Sequence, residues 1–132
     1  MKIAIVTAEF NSEITLAMEA IAQRTVKLLG GTTLPPERVP GCFEIPLAVK
    51  KQLSKKDVDG VITLGAIIKG GTGHDELIAS AIAPALLSLS LAYNKPVAIG
   101  ILGPKITWRQ AKSRASGYAK RAAQAAVKMI GH

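Results

Sequence analysis

An α/β fold with a parallel sheet covered on both faces is predicted by three features of the sequence. Short apolar runs rich in Ile and Val alternate with longer segments whose apolar residues recur at helical spacing. Gly, Pro and Asn punctuate the junctions. No linker, low-complexity tract or repeat interrupts the alternation, and 132 residues suffice for one domain with a single core over residues 1–132.

Each element has its own warrant. "KIAIVTA" at 2–8 reads as a buried strand. Over 12–29 the apolar residues Ile14, Met18, Ile21, Ala22, Val26 and Leu29 keep helical spacing, with Asn11 or Ser12 to cap the start and Gly30–Gly31 to stop it. Residues 32–39 form the weakest strand, because Pro35 and Pro36 lie inside it and prolines confine a strand to a sheet edge. A helix follows "PGCFEIP" and runs to about Lys55. "VDGVITLGAII" at 58–68 is the clearest buried strand, and "VAIGIL" at 97–102 is the last. Between them lies a long apolar helix that contains Pro84, a residue able to kink it. Thr107 and Gln110 have capping-box spacing and open a final alanine-rich helix to about Ile130. With right-handed crossovers the result is a flavodoxin-like three-layer α/β/α sandwich with a four-stranded parallel sheet.

In such sheets ligands bind beyond the carboxyl ends of the strands. The unusual segments of the chain all fall there: "EFN", "PGCFE", "KGGTGH" and "GPKITW", one after each strand. Four distinctive loops at one edge predict one composite site.

Composition narrows the partners. A formal charge of +8 favours anions, whether nucleic acid, acidic surfaces or phosphorylated small molecules, although most such charges serve only as a solvated surface. Two Phe, two Tyr and one Trp offer no stacking platform for single strands, so a nucleic-acid partner is not expected. Hydrophobic residues make up 48% of the chain, more than a small monomer can bury. The uncharged stretch "LIASAIAPALLSLSLAYN" at 77–94 is at the lower length limit for a membrane span, yet it carries Pro84, three serines and many alanines. Burial between subunits is expected instead, with Leu86 taken as a residue of the subunit-facing side. The opening residues do not read as a signal peptide, and the lone Cys42 fits a cytoplasmic location.

The glycines of "KGGTGH" let backbone N–H groups approach a ligand, with Thr72, Lys69 and a helix N-terminus beside them. This is an anion cradle or an ordinary glycine-rich turn; its spacing is neither that of a P-loop nor that of a dinucleotide fingerprint. His74 then sits where an imidazole can move protons, and Asp75 and Glu76 can orient it or favour the helix start. A lone histidine is more often structural. The other, His132, lies at the terminus, so no metal site is expected. Phe43 and Glu44 fall at a helix start, where Glu44 can accept ligand hydroxyls or serve the helix dipole. Phe10 can stack on a flat ring or join the core. Arg114, Arg121 and Lys128 share one helix face, and Arg114 can clamp a phosphate through its fork unless the stripe is merely solvated. Gly117 interrupts that helix for no reason visible in the sequence.

Taken together, "EFN", "VPGCFEIPLA", "GAIIKGGTGHDEL" and "RQAKSRA" resemble, in order and spacing, the lumazine synthase family, and most closely its archaeal members. The resemblance covers nearly the whole chain. It implies condensation of 5-amino-6-(D-ribitylamino)uracil with 3,4-dihydroxy-2-butanone 4-phosphate in riboflavin biosynthesis, giving 6,7-dimethyl-8-ribityllumazine, phosphate and water with no metal or organic cofactor. Carried over residue by residue, it makes His74 the acid/base and gives Phe10, beside Asn11, the pyrimidine ring to stack on. Cys42, Phe43 and Glu44 would hold the ribityl chain, and Ala66, Ile67 and Ile68 would line the ring site through their backbone. Gly71 and Thr72 would receive the phosphate together with Arg114 of an adjacent subunit. The implied assembly is a homopentamer in which the helix after His74 surrounds the fivefold axis; some members stack twelve pentamers into a shell of 60 subunits.

Three departures from the family pattern stand out. Ile99 occupies a strand position, one wall of the ring pocket, where many members have an aromatic residue. The chain begins at its first strand, without the N-terminal strand that many members add to a neighbour's sheet, which bears against shell assembly but not against the pentamer. The late lysine of many bacterial members has no aligned equivalent, although Lys120 and Arg121 lie close by. The rival readings are an archaeal-type riboflavin synthase, which would convert lumazine alone, a basic nucleic-acid-binding module and a non-catalytic flavin binder.

Overall fold

The structure, a computed structural model, describes residues 1–70 and 74–131. Its sheet is built around β1 (Lys2–Ala8) and β4 (Gly60–Ile68), whose residues are almost all buried. Both lie inside the sheet, so both faces of each must be apolar, which is why these runs are continuous rather than alternating. β1 pairs with β4 in parallel from Ile3 opposite Gly60 to Thr7 opposite Leu64. β5 (Val97–Ile106) pairs in parallel with the far side of β4 and forms one edge.

The other edge departs from expectation. Instead of one strand over residues 32–39 there are two, β2 (Thr32–Thr33) and β3 (Glu37–Val39), both parallel to β1, so the sheet has five strands rather than four. Pro35 and Pro36 explain the break. The Leu34 N–H still donates to the Ile3 carbonyl at 3.0 Å, but the two prolines have no N–H to give, and pairing resumes only with Glu37 opposite Val6. β3 is anchored from the side: Arg38 donates to the buried Glu19 carboxylate of α1 (Ser12–Leu28) at 2.7 Å.

Four helices cover the sheet. The odd side chains of β1, Ile3 and Ile5, face α1 and α4 (Trp108–Ile130), with Ile14, Met18 and Val26 from the one and a row of alanines from Ala111 to Ala126 from the other. The even side chains, Ala4, Val6 and Ala8, face α2 (Ile45–Leu53) and α3 (His74–Tyr93), with Ile45, Val49 and Leu53 from α2 and Ile82 and Leu86 from α3. That alternation produces the three layers. The α4 capping box is present, with Gln110 N–H donating to Thr107 Oγ1 at 3.1 Å and Thr107 N–H to Gln110 Oε1 at 3.0 Å.

Two further expectations are corrected. β5 does not stop at Leu102 but continues through Gly103 and Pro104 to Ile106. An edge strand tolerates proline, and Gly103, at φ 102°, passes so close to β4 that a Cβ would collide with the Ile67 carbonyl oxygen. Leu86, taken as subunit-facing, is fully buried in the chain's own core. The outward residues of α3 are Leu77, Leu87 and Leu91, at least 60% exposed. By length and composition α3 could also cross a membrane, but only Asp75, Ile82 and Leu86 of it are buried within the chain.

Candidate active site

A cleft of about 630 Å³ opens at the carboxyl ends of β1, β3 and β4. Its first wall comes from the β1–α1 turn. Glu9 N–H donates to the Val39 carbonyl at 2.7 Å and Phe10 N–H to the Pro40 carbonyl at 3.0 Å, which fastens this turn to the segment after β3. Phe10 is thereby held with its ring 65% exposed over the cleft. Asn11 does not cap α1 with its side chain. It adopts a left-handed conformation at φ 66°, and its Nδ2 donates to the Ala66 carbonyl at 3.0 Å, tying the turn to the end of β4. Asparagine tolerates this conformation better than most residues.

The second wall is a short 3₁₀ turn, Cys42–Glu44, that leads into α2. Glu44 Oε1 accepts the Gly41 N–H at 2.9 Å, so the carboxylate is oriented by the chain while its other oxygen bonds nothing among the described residues. Phe43 stands 64% exposed beside it. Cys42 lies beneath, and burial pushes its thiol up to about 11. At neutral pH the thiol is therefore held protonated, which makes it a poor nucleophile.

The floor is the end of β4, Ala66, Ile67 and Ile68, and beyond it Lys69, Gly70 and His74 complete the cleft. His74 is the first residue of α3 and is exposed. Asp75 does not orient it: the buried Asp75 carboxylate accepts the Lys105 N–H at 2.9 Å. That bond, helped by the amides of Asp75, Glu76 and Gly70, holds the carboxyl below its usual range against the opposing effect of burial. Asp75 thus pins the start of α3 to the end of β5, where Lys105 has φ 61°. Glu76 adds a surface ion pair to Lys105 Nζ at 3.5 Å.

Nine of the site residues that the resemblance implies therefore meet in one cleft: Phe10, Asn11, Cys42, Phe43, Glu44, Ala66, Ile67, Ile68 and His74. Gly71 and Thr72, the centre of the expected cradle, lie outside the described residues. Ile99 and Arg114 do not line this cleft: Ile99 is 45% exposed on β5 and Arg114 is exposed on α4. Pro40, Gly41 and Ile78, which have no role assigned from the sequence, also line it, as does Gly70 of the expected cradle. Pro40, Gly41 and Gly70 lie within the quoted motifs, but Ile78 is signalled only by helical spacing from His74. Among the described residues no group of three or more His, Cys, Asp or Glu side chains converges on a metal site.

A doubly wound sheet whose strand ends carry an imidazole, a carboxylate and two exposed rings defines an α/β enzyme acting on small molecules. Within that class the match is specific. Residues 1–132 match the 6,7-dimethyl-8-ribityllumazine synthase family, and the chain belongs to that family. A 6,7-dimethyl-8-ribityllumazine synthase of Metallosphaera sedula is 50% identical over 98% of this chain and 85% of its own length. That of Methanopyrus kandleri is 49% identical over 98% and 92%, and that of Methanocaldococcus jannaschii 49% over 95% and 88%.

Proposed function

We propose that the chain condenses 5-amino-6-(D-ribitylamino)uracil with 3,4-dihydroxy-2-butanone 4-phosphate to give 6,7-dimethyl-8-ribityllumazine, phosphate and water, in the cytoplasm. The observation that carries the proposal is the convergence of Phe10, Glu44 and His74 on one strand-end cleft in a chain of this family. Phe10 presents a ring face to the pyrimidine. Glu44, oriented by Gly41, accepts ribityl hydroxyls with its unengaged oxygen, and Cys42 and Phe43 flank that chain. The strand end 66–68 offers backbone groups to the pyrimidine edge. Gly71 and Thr72 receive the phosphate.

His74 then serves successive proton transfers. The amine attacks the ketone and water leaves, phosphate is eliminated, and closure of the second ring releases further water. Holding two substrates together in one cleft supplies much of the acceleration.

The cleft is completed by a neighbouring copy, which brings Arg114 to the phosphate and Ile99 to the ring site. Supporting this, both residues are exposed on the chain's surface and neither lines this cleft. The assembly is a homopentamer with α3 about the axis, and sizing distinguishes it from a 60-subunit shell. Incubating purified protein with both substrates and following lumazine fluorescence tests the reading. Riboflavin formed from lumazine alone would overturn it.

A further inference from the structure

The segment from Lys69 to Asp75 carries His74, and both of its ends are tied to consecutive residues of β5. Lys69 N–H donates to the Ile106 carbonyl at 2.8 Å. At the other end the buried Asp75 carboxylate accepts the Lys105 N–H at 2.9 Å. The tail of β5 thus staples the two ends of the segment together. A connection closed in this way keeps fewer conformations than one held at a single end.

The staple uses backbone that ordinary strands avoid. Lys105 has φ 61°, a left-handed conformation uncommon for lysine, and Gly103 shortly before it has φ 102°. Residues in such conformations persist only where their surroundings hold them, and they cluster at functional sites. The Lys105 side chain does not explain its backbone: it is 71% exposed, and its Nζ makes a surface ion pair with Glu76 at 3.5 Å. What the conformation delivers is the N–H that Asp75 accepts.

An exposed imidazole takes its place from the backbone that carries it, and His74 is exposed at the cleft immediately before Asp75. We infer that Asp75 is a positioning residue for the reaction: its bond to the Lys105 N–H sets His74 against the two substrates. This rests on the reading of His74 as the acid/base. A misplacement of about 1 Å can cost about 10²-fold in rate. The staple therefore acts on turnover more than on binding of the pyrimidine, whose proposed contacts lie on the other walls and the floor.

Four variants test it, read by kcat, by both KM values, by Tm and by sizing. Asp75→Ala removes the acceptor and should lower kcat by at least about tenfold, with the KM for the pyrimidine and the assembly size unchanged. Asp75→Asn keeps an oxygen that can accept the Lys105 N–H. It should restore kcat to within a few-fold of the unmodified protein, although its Tm stays lower. Lys105→Pro removes the donor and should match Asp75→Ala, so it carries the same comparison if that variant does not fold. Glu76→Gln breaks only the surface ion pair and should leave kcat as it is. A clasp that served stability alone would leave kcat unchanged in every variant folded at the assay temperature. That result, or a kcat that Asp75→Asn fails to restore, would overturn the inference. If His74→Ala loses turnover and a folded Asp75→Ala does not, only this inference falls. If His74→Ala keeps full turnover, the acid/base reading falls with it.

Discussion

His74 opens α3 with its side chain at a solvent-accessible cleft, so it can exchange protons with a bound molecule and with water. His74→Ala should slow turnover by roughly 10²–10⁴-fold with little change in either KM, as loss of a general acid/base does. Steady-state fluorescence measurements check this, and an unchanged kcat would return the residue to a structural role. Cys42 makes the opposite case. With its thiol pushed up to about 11 by burial, it should resist alkylation at neutral pH. Labelling by iodoacetamide, followed by mass spectrometry, should rise about tenfold per pH unit below that value, because only the thiolate reacts. Rapid labelling at pH 7 would show that the cleft floor opens. These residues are legible in the sequence because each belongs to a contiguous motif at a strand end. Asn11 shares such a motif, but its bond does not show there: it looks like a helix cap, whereas its partner, Ala66, is 55 residues away. Gly117 is illegible for a related reason, since the Arg121 guanidinium that a Cβ there would meet comes from the next turn of the helix.

At the scale of elements, the cleft depends on how the start of α3 is fastened. Asp75 joins it to the end of β5 through Lys105 N–H, and this bond favours the charged carboxylate. A carboxyl held below its ordinary value of 3.8 stabilises the fold above that pH, and the contribution is lost as pH falls through the lower folded-state value. Asp75→Asn should therefore lower Tm by a few degrees at neutral pH. The gap from the unmodified protein should narrow as the solution is acidified from 3.8 toward the lower folded-state value, across which the unfolded and then the native aspartate become protonated. Melts across pH 7 to 3 read this directly, and a constant gap would mean that the charge is not what matters. The partner half of this clasp was hidden in the sequence. Gly103 and Pro104 signal a loop, whereas an edge strand accommodates both and runs on to Ile106. The prolines of residues 32–39 were read correctly as marking an edge, but they split that edge in two, because two successive missing N–H groups leave no ladder to continue.

For the whole molecule, the deciding feature is α3. Its apolar surface is spread around the helix, so no periodicity in the sequence tells which stripe meets the chain's own sheet and which meets a neighbour. The need for cover is legible in the sequence; the face is not, and Leu86, expected to face a neighbour, lies on the inner one. In the fold Leu86 is buried and Leu91 is 73% exposed, on the same outward face as Leu77 and Leu87. Soluble monomers rarely expose a contiguous apolar patch beyond roughly a few hundred Å², and cyclic closure of identical copies would cover this one. Leu91→Asp places a charge on that face without opening a cavity in the chain's own core, so the variant should fold. It should nonetheless run as smaller species on sizing and, if the proposed shared cleft holds, lose most of its turnover, because the neighbour's Arg114 is lost with the ring. Circular dichroism separates this result from misfolding. An unmodified protein that runs as a fully active monomer would overturn the pentamer and, with it, the assignment of Arg114 to the neighbouring site.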